Sequence, residues 1–150
     1  MNPFSKILVP MDFSPHAEAA IETALDIARR YDAAITLVNV FEPLALSFPE
    51  GSGIYSTLSL ADFMADLEQA LEEKRQSTAT ASGRTIQAVQ RTGHPAHEIV
   101  DLARSGGFDL IVMGTHGRTG LPHMLIGSVA ERVVRSAPCA VLTVHRRASS

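Results

Sequence analysis

Apolar and polar positions along the chain follow two alternating patterns. Short apolar runs rich in branched residues are typical of buried strands, and one run with alternating polarity is typical of an edge strand. Between these runs, apolar residues recur every three or four positions, as they do on one face of a helix. The five predicted strands are residues 6–12, 34–40, 85–90, 109–114 and 140–144.

Helical periodicity predicts one helix after each of the first four strands. The first helix begins at Ser14 and Pro15, because serine is favoured as an N-cap and proline at the first helical position. The other three lie at about 60–83, 93–106 and 128–136. This alternation predicts a single α/β domain over residues 1–150, a Rossmann-like, doubly wound parallel sheet with helices on both faces.

Residues 42–57 interrupt the pattern. They contain two prolines, two glycines and three serines, and their apolar residues show no period. A stretch of this length without periodicity is usually a functional lid or a mobile segment. We therefore predict a mobile lid after the second strand.

Composition narrows the class of protein. A length of 150 residues suits one domain, and a net charge of −3 argues against a broad nucleic-acid surface. Cys139 is the single cysteine, which excludes an intrachain disulfide and is typical of a reducing compartment. No apolar run approaches the roughly 20 residues that span a bilayer, and residues 1–13 lack the pattern of a signal peptide. We expect a cytoplasmic protein without a membrane partner.

The loop over residues 114–129 has the chemistry of a phosphate site. Its glycines allow backbone N–H groups to approach an anion, and the next helix opens at Gly127 and Ser128 with the positive end of its dipole. Arg118 adds a permanent positive charge. The alternative is a plain turn in which Ser128 and Glu131 form a capping box.

Other common sites are not supported by the sequence. A Walker A loop needs a lysine after its last glycine, but Lys6 and Lys74 are the chain's only lysines, and the dinucleotide pattern G-x-G-x-x-G is missing. His116 and His123 are seven residues apart with no third ligand at a recognisable spacing, so we predict no metal site on side chains. Residue spacing indicates no catalytic group.

The spacing Gly114-x-x-Gly117-x9-Gly127-Ser128 resembles the ATP-binding signature of the universal stress protein family. Residues 7–12, 109–114 and 138–144 are also similar to that family, so the resemblance extends along the whole chain. It implies a five-stranded parallel sheet in the order 3-2-1-4-5, with the ends of strands 1 and 4 side by side.

The resemblance also implies a role for individual residues. Those that would surround the nucleoside, with Asp12 at the ribose and Val40 at the adenine, are Pro10, Asp12, Val40, Met113 and Gly114. Those that would hold the phosphates are Gly117, Arg118, Gly127, Ser128 and Val129. Asp12 could instead cap the turn after the first strand. Ala130 stands where ATP-binding members often carry serine or threonine, which would remove one phosphate hydrogen bond.

The function that this resemblance implies is regulatory. The chain would bind ATP, with Mg²⁺ on the phosphates, and act in the stress response with slow hydrolysis or none. The alternatives are a weak ATPase or phosphotransferase, and an interaction protein that has lost nucleotide binding. The family also pairs its last strand across a two-fold axis, which predicts a homodimer through Ala140, Val141, Leu142, Thr143 and Val144.

Overall fold

The computed structural model describes residues 2–43, 53–116 and 126–146, apart from the side chains of 53–59. The strands are β1 (Lys6–Pro10), β2 (Ala34–Phe41), β3 (Ile86–Thr92), β4 (Leu110–Gly114) and β5 (Ala140–Val144). The helices are α1 (Pro15–Tyr31), α2 (Gly53–Ser82), α3 (Pro95–Ser105) and α4 (Ser128–Ser136). All five strands and four helices expected from the sequence are present, and the ends agree within about two residues except that α2 begins at Gly53 rather than near residue 60.

The five strands form one parallel sheet in the order β3-β2-β1-β4-β5. This confirms the predicted doubly wound topology and places β3 and β5 at the two edges. The winding direction reverses between β1 and β4. In sheets of this kind, ligands bind beyond the carboxyl ends of the strands at the point of reversal.

The core has two layers because side chains alternate between the faces of each strand. Ile7 and Val9 pack with α1 on one face, whereas Leu8 packs with α3 and α4 on the other. All three side chains are fully buried, which explains why β1 reads as a continuous apolar run rather than an alternating one.

Helix α1 begins as the sequence predicts. The Ser14 hydroxyl accepts a hydrogen bond from the Ala17 N–H at 3.2 Å, and Pro15 is the first helical residue. Small residues at Ala20, Ala24 and Ala28 are fully buried, so the helix axis lies close to the sheet.

The structure corrects the capping-box alternative and one boundary of the predicted lid. Helix α4 has Gly127 rather than Ser128 at its N-cap, and Glu131 pairs with Arg135 at 2.7 Å instead of forming the capping box. Helix α2 starts at Gly53, so residues 53–57 of the predicted lid are helical, while 44–52 lie outside the described residues. Glycine and serine are weak helix formers, but extending an existing helix costs far less than starting one.

Within the described part of the chain, no helix is both long enough and apolar enough to cross a membrane.

Candidate functional site

A cavity of about 340 Å³ lies at the point where the sheet reverses direction. It opens beyond the carboxyl ends of β2, β1 and β4 and is bordered by the first turns of α1, α3 and α4. Eight of the ten residues predicted from the sequence line it: Pro10, Asp12, Val40, Met113, Gly114, Gly127, Ser128 and Val129. The other two, Gly117 and Arg118, lie outside the described residues.

The cavity has an apolar and a polar side. Val40, Ile99 and Met113 supply apolar surface, whereas the residues that follow β4 and open α4 supply hydroxyl, imidazole and backbone N–H groups. Strands β2 and β4 are separated by β1, which is two strand spacings or about 10 Å. The cavity can therefore hold a ligand with a flat apolar part and a charged part.

The loop between β1 and α1 fixes the position of Asp12. Its Oδ1 atom accepts a hydrogen bond from the Ser14 N–H at 3.0 Å, which is the capping role that the sequence left open. Between them, Phe13 has a φ of 65°, a left-handed conformation that is unfavourable for a bulky residue. Such strain concentrates at functional sites, where the surrounding structure holds it.

A series of hydrogen bonds, which sequence analysis missed, stabilises the backbone beneath the cavity. The Asn39 amide donates to the Met11 carbonyl at 2.7 Å and accepts from the Gln90 amide at 2.8 Å. The Met11 N–H donates to the Val38 carbonyl at 2.7 Å. These bonds connect the loop after β1 to β2 and β3. The signal in the sequence was an asparagine in a strand whose only other polar residue is Thr36.

The first turn of α4 is held at the end of β4 by Gly127. Its N–H donates to the Thr115 carbonyl at 2.6 Å, and a Cβ atom at Gly127 would lie only 3.0 Å from that oxygen. Among the described residues no side chain caps this helix. The N–H groups at its first turn therefore face the cavity with the positive end of the helix dipole, an arrangement suited to an anion.

Three imidazoles lie together beside this cavity. The ring centres of His16 and His116 are 5.3 Å apart, and each is 5.8 Å from the ring centre of His145. The Thr115 hydroxyl lies 3.0 Å from Nδ1 of His116 and 3.1 Å from Nδ1 of His145. Sequence analysis did not group these histidines, because they are distant in sequence and only the fold brings them together.

The surroundings of His16 lower the pKa of its imidazole. Burial is the largest cause, coulombic interactions with His116, His145 and Arg146 lower the pKa further, and Asp12 has a smaller opposing effect. Elsewhere, burial raises the pKa of the Cys139 thiol, and the Asp109 carboxylate adds to this effect. Cys139 is therefore an unreactive thiol at neutral pH.

Comparison with known proteins identifies the family. A sequence model described as the universal stress protein family matches residues 3–145. The chain belongs to the universal stress protein family. A universal stress protein of Methanocaldococcus jannaschii is 35% identical over 145 residues, which cover 97% of this chain and 84% of that protein.

Solved structures of universal stress proteins share the fold. The UspA protein from Lactobacillus plantarum is 33% identical, with a TM-score of 0.80 over 94% of this chain and 97% of its own. A universal stress protein in complex with cAMP is 24% identical, with a TM-score of 0.72 over 97% and 99% of the two chains. One from Archaeoglobus fulgidus in complex with dAMP is 19% identical, with a TM-score of 0.66 over 96% and 99%.

Proposed function

We propose that this chain binds ATP in the cavity between β1, β2 and β4 and acts as a regulatory protein of the stress response. The cavity carries the proposal, because it combines an apolar side with a helix N-terminus at the reversal point of the sheet. Universal stress proteins of the same fold hold cAMP and dAMP, so an adenine nucleotide is the ligand class that we expect.

The nucleoside would lie on the apolar side. Val40 and Met113 offer surface to the base, and Pro10 offers surface to the sugar. Asp12 uses one oxygen to hold its own loop, and its second oxygen would accept from a ribose hydroxyl. The capping role and the ligand role are compatible in one carboxylate.

The phosphates would lie at the first turn of α4. Ser128 and Val129 supply backbone N–H groups there, and the absence of a Cβ at Gly127 lets the helix approach the end of β4. Mg²⁺ would bind through phosphate oxygens and neutralise part of their charge. We still expect Gly117 and Arg118 to contact the phosphates. Arg118→Ala should therefore weaken the binding of ATP much more than the binding of adenosine.

Hydrolysis should be slow or absent. Phosphoryl transfer requires a group that orients the attacking water or acceptor. Asp12 is the only carboxylate among the described residues that line the cavity, and its Oδ1 atom is already engaged by the Ser14 N–H. We therefore expect bound ATP to persist, and turnover near the common range of about 1–1000 per second would support the ATPase alternative instead.

Calorimetry on protein freed of bound nucleotide tests the proposal. Ser128→Ala removes a hydroxyl that we expect to donate to a phosphate at the mouth of α4, and Ser136→Ala makes the same change at the far end of that helix. A charge-assisted hydrogen bond of about 1.5 kcal/mol corresponds to roughly tenfold in Kd, so Ser128→Ala should weaken ATP by that factor. Ser136→Ala should have no effect. Wild-type protein that binds no adenine nucleotide at millimolar concentration would favour the interaction-protein alternative.

We also propose that two copies pair through β5. This strand is a sheet edge, and its Leu142 side chain is 39% exposed. Exposed edges of this kind are normally covered, and pairing with a second copy would satisfy both the backbone groups and the apolar side chains.

A further inference from the structure

We propose that His16, His116 and His145 form a binding site for a transition-metal ion of the zinc class, at the edge of the nucleotide cavity that His116 also lines. Among the described residues, this is the one group of histidine, cysteine or carboxylate side chains close enough to share an ion. One ligand atom from each ring lies within 4.8 Å of the others.

The three ligands come from parts of the fold that the topology brings together. His116 follows β4 and His145 follows β5, which are neighbouring strands, and the Thr115 N–H donates to the Val144 carbonyl at 3.0 Å. His16 lies in the first turn of α1, directly above the end of β4. A Cβ atom at Gly114 would lie 2.6 Å from the His16 Cβ, so glycine is what allows this approach.

The ligand atoms lie near enough for a small rearrangement to form a zinc site. With Zn–N bonds of about 2.0–2.1 Å, two nitrogens of a tetrahedral site are roughly 3.3 Å apart. The ring nitrogens, which lie up to 4.8 Å apart, must therefore move closer together. Rotation about the terminal side-chain torsion of histidine, which has a broad range, would bring them closer. The long contact from the Arg146 N–H to His16 Nδ1, at 3.5 Å, would give way in this rotation.

Thr115 would orient two of the ligands. Its hydroxyl oxygen has two lone pairs and can accept from Nδ1–H of both His116 and His145, at the observed 3.0 and 3.1 Å. In that tautomer Nε2 of each ring carries the lone pair that would bind the metal. An outer hydrogen bond of this kind is typical of histidine ligands.

The surroundings also fit an ion that enters from solvent. His116 is buried, His16 is half-buried and His145 is exposed, so the group leads from the surface inwards. Three neutral imidazoles suit zinc, cobalt or nickel, whereas Mg²⁺ prefers oxygen ligands. The fourth position of a tetrahedral ion would be filled by water or another oxygen ligand.

Metal titration of chelator-treated full-length protein, without nucleotide, tests the proposal. We expect one Zn²⁺ per chain, measured by competition with a chromogenic chelator, and no displacement by millimolar Mg²⁺. Co²⁺ should give the strong visible absorption of a tetrahedral site. Less than one ion per chain, displacement by Mg²⁺, or the weak absorption of octahedral Co²⁺ would overturn the proposal.

Matched variants locate the ion. His145→Asn changes an exposed side chain and should weaken Zn²⁺ by more than the about 10–100-fold typical of outer-shell changes, whereas Thr115→Val should fall within that range. His97→Asn, an equally conservative change of an exposed histidine on α3, should have no effect. Unchanged affinity in His145→Asn, or an equal loss in His97→Asn, would overturn the proposal. Because no nucleotide is present, failure of ATP binding would leave these results unaffected.

Discussion

At the scale of single residues, two glycines allow the elements that surround the cavity to pack closely together. Gly114 lets the first turn of α1 lie against the end of β4, and Gly127 lets the first turn of α4 do the same from the other side. In both cases the nearest atoms to an added Cβ include backbone, which cannot move aside as a flexible side chain can. The glycines are therefore required by packing, whatever ligand the cavity holds.

Gly114→Ala should lower stability. The added Cβ would lie 2.6 Å from the His16 Cβ and 2.9 Å from its carbonyl carbon, so α1 must shift away from the sheet. Overpacking of this kind costs about 1–3 kcal/mol, and each kcal/mol lowers the Tm of a chain this size by roughly 2–4 °C. Thermal unfolding would measure the loss. The shift should also weaken Zn²⁺ binding at His16.

Gly83→Ala is the control for that experiment. Its Cβ meets no atom within 4 Å, but its φ of 66° is strained for alanine, so it should lower stability without changing ligand binding. A Gly114→Ala protein with the wild-type Tm would show that α1 does not depend on this contact.

Gly127→Val should weaken the binding of ATP. Its Cβ would lie 3.0 Å from the Thr115 carbonyl, and the branched side chain would occupy the space through which phosphate approaches α4. Loss of one or two charge-assisted hydrogen bonds corresponds to roughly ten- to a thousandfold in Kd. Calorimetry on protein whose circular dichroism matches wild type would measure it. An unchanged Kd would place the phosphates elsewhere.

At the scale of elements, α2 is tied to its surroundings by charged side chains. Arg75 contacts Glu72 within the helix, with 2.5 Å between Nη2 and Oε1, and reaches the Ile86 carbonyl on β3 at 3.3 Å. Lys74 pairs with Glu18 on α1 at 2.5 Å. These contacts orient a 30-residue helix whose length exceeds that of the strands it covers.

The Glu72 carboxyl should titrate well below its ordinary range. Hydrogen bonds from Arg75 and Gln76 lower its pKa from 4.5 to about 2. The pKa of Glu72 is lower in the folded state than in the unfolded state, so its contacts contribute fully to folding stability above about pH 4.5. This contribution is lost as the pH falls towards 2. An NMR titration should show this pKa rising towards 4.5 in Arg75→Ala.

Arg29→Ala is the matched control for the titration. Arg29 forms a similar exposed pair with Asp26 on α1, so its removal should leave the pKa of Glu72 unchanged. A Glu72 pKa near 4.5 in the wild-type protein would mean that the Arg75 contact does not persist in solution.

At the scale of the whole molecule, the two sheet edges differ in how they are covered. Helix α2 packs against β3, whereas β5 exposes Leu142 to solvent. Val141 packs partly against the core beneath α3 and α4, so a charge there would disturb folding as well as assembly. Leu142 is therefore the position at which assembly can be tested separately.

Leu142→Asp should shift a homodimer to monomer. The two aspartate carboxylates would lie close together across a two-fold axis, where they would repel each other. Pairing would also bury these charged groups, which is unfavourable. Sedimentation at micromolar concentration would show the change. Phe63→Asp, at a side chain 38% exposed on α2, should leave assembly unchanged. A wild-type chain that sediments as a monomer would contradict the proposed pairing.

The sequence by itself determined the elements and their order. Apolar runs such as residues 109–114 and the Ser14-Pro15 start signal are local patterns, and local chain geometry decides what they form. The glycine spacing pointed to the β4–α4 loop, because glycines and a helix start mark such a loop without knowledge of distant contacts. The resemblance to the family added the residues at the ends of the other strands, and eight of the ten residues that it implied line one cavity.

Only the tertiary structure decided which distant groups meet. Asn39 reaches Met11 because β2 lies beside β1, and His16, His116 and His145 meet because α1 covers the neighbouring ends of β4 and β5. Periodicity is a local pattern, so it cannot show that two residues 100 positions apart are in contact. The start of α2 at Gly53 was also beyond local patterns, because a helix extends through weak formers once it exists. The start of α4 was predicted, but its lack of a side-chain cap was not, because a cap depends on the chain that approaches it. Sequence order fixes the elements, whereas contacts between them depend on how the sheet is wound.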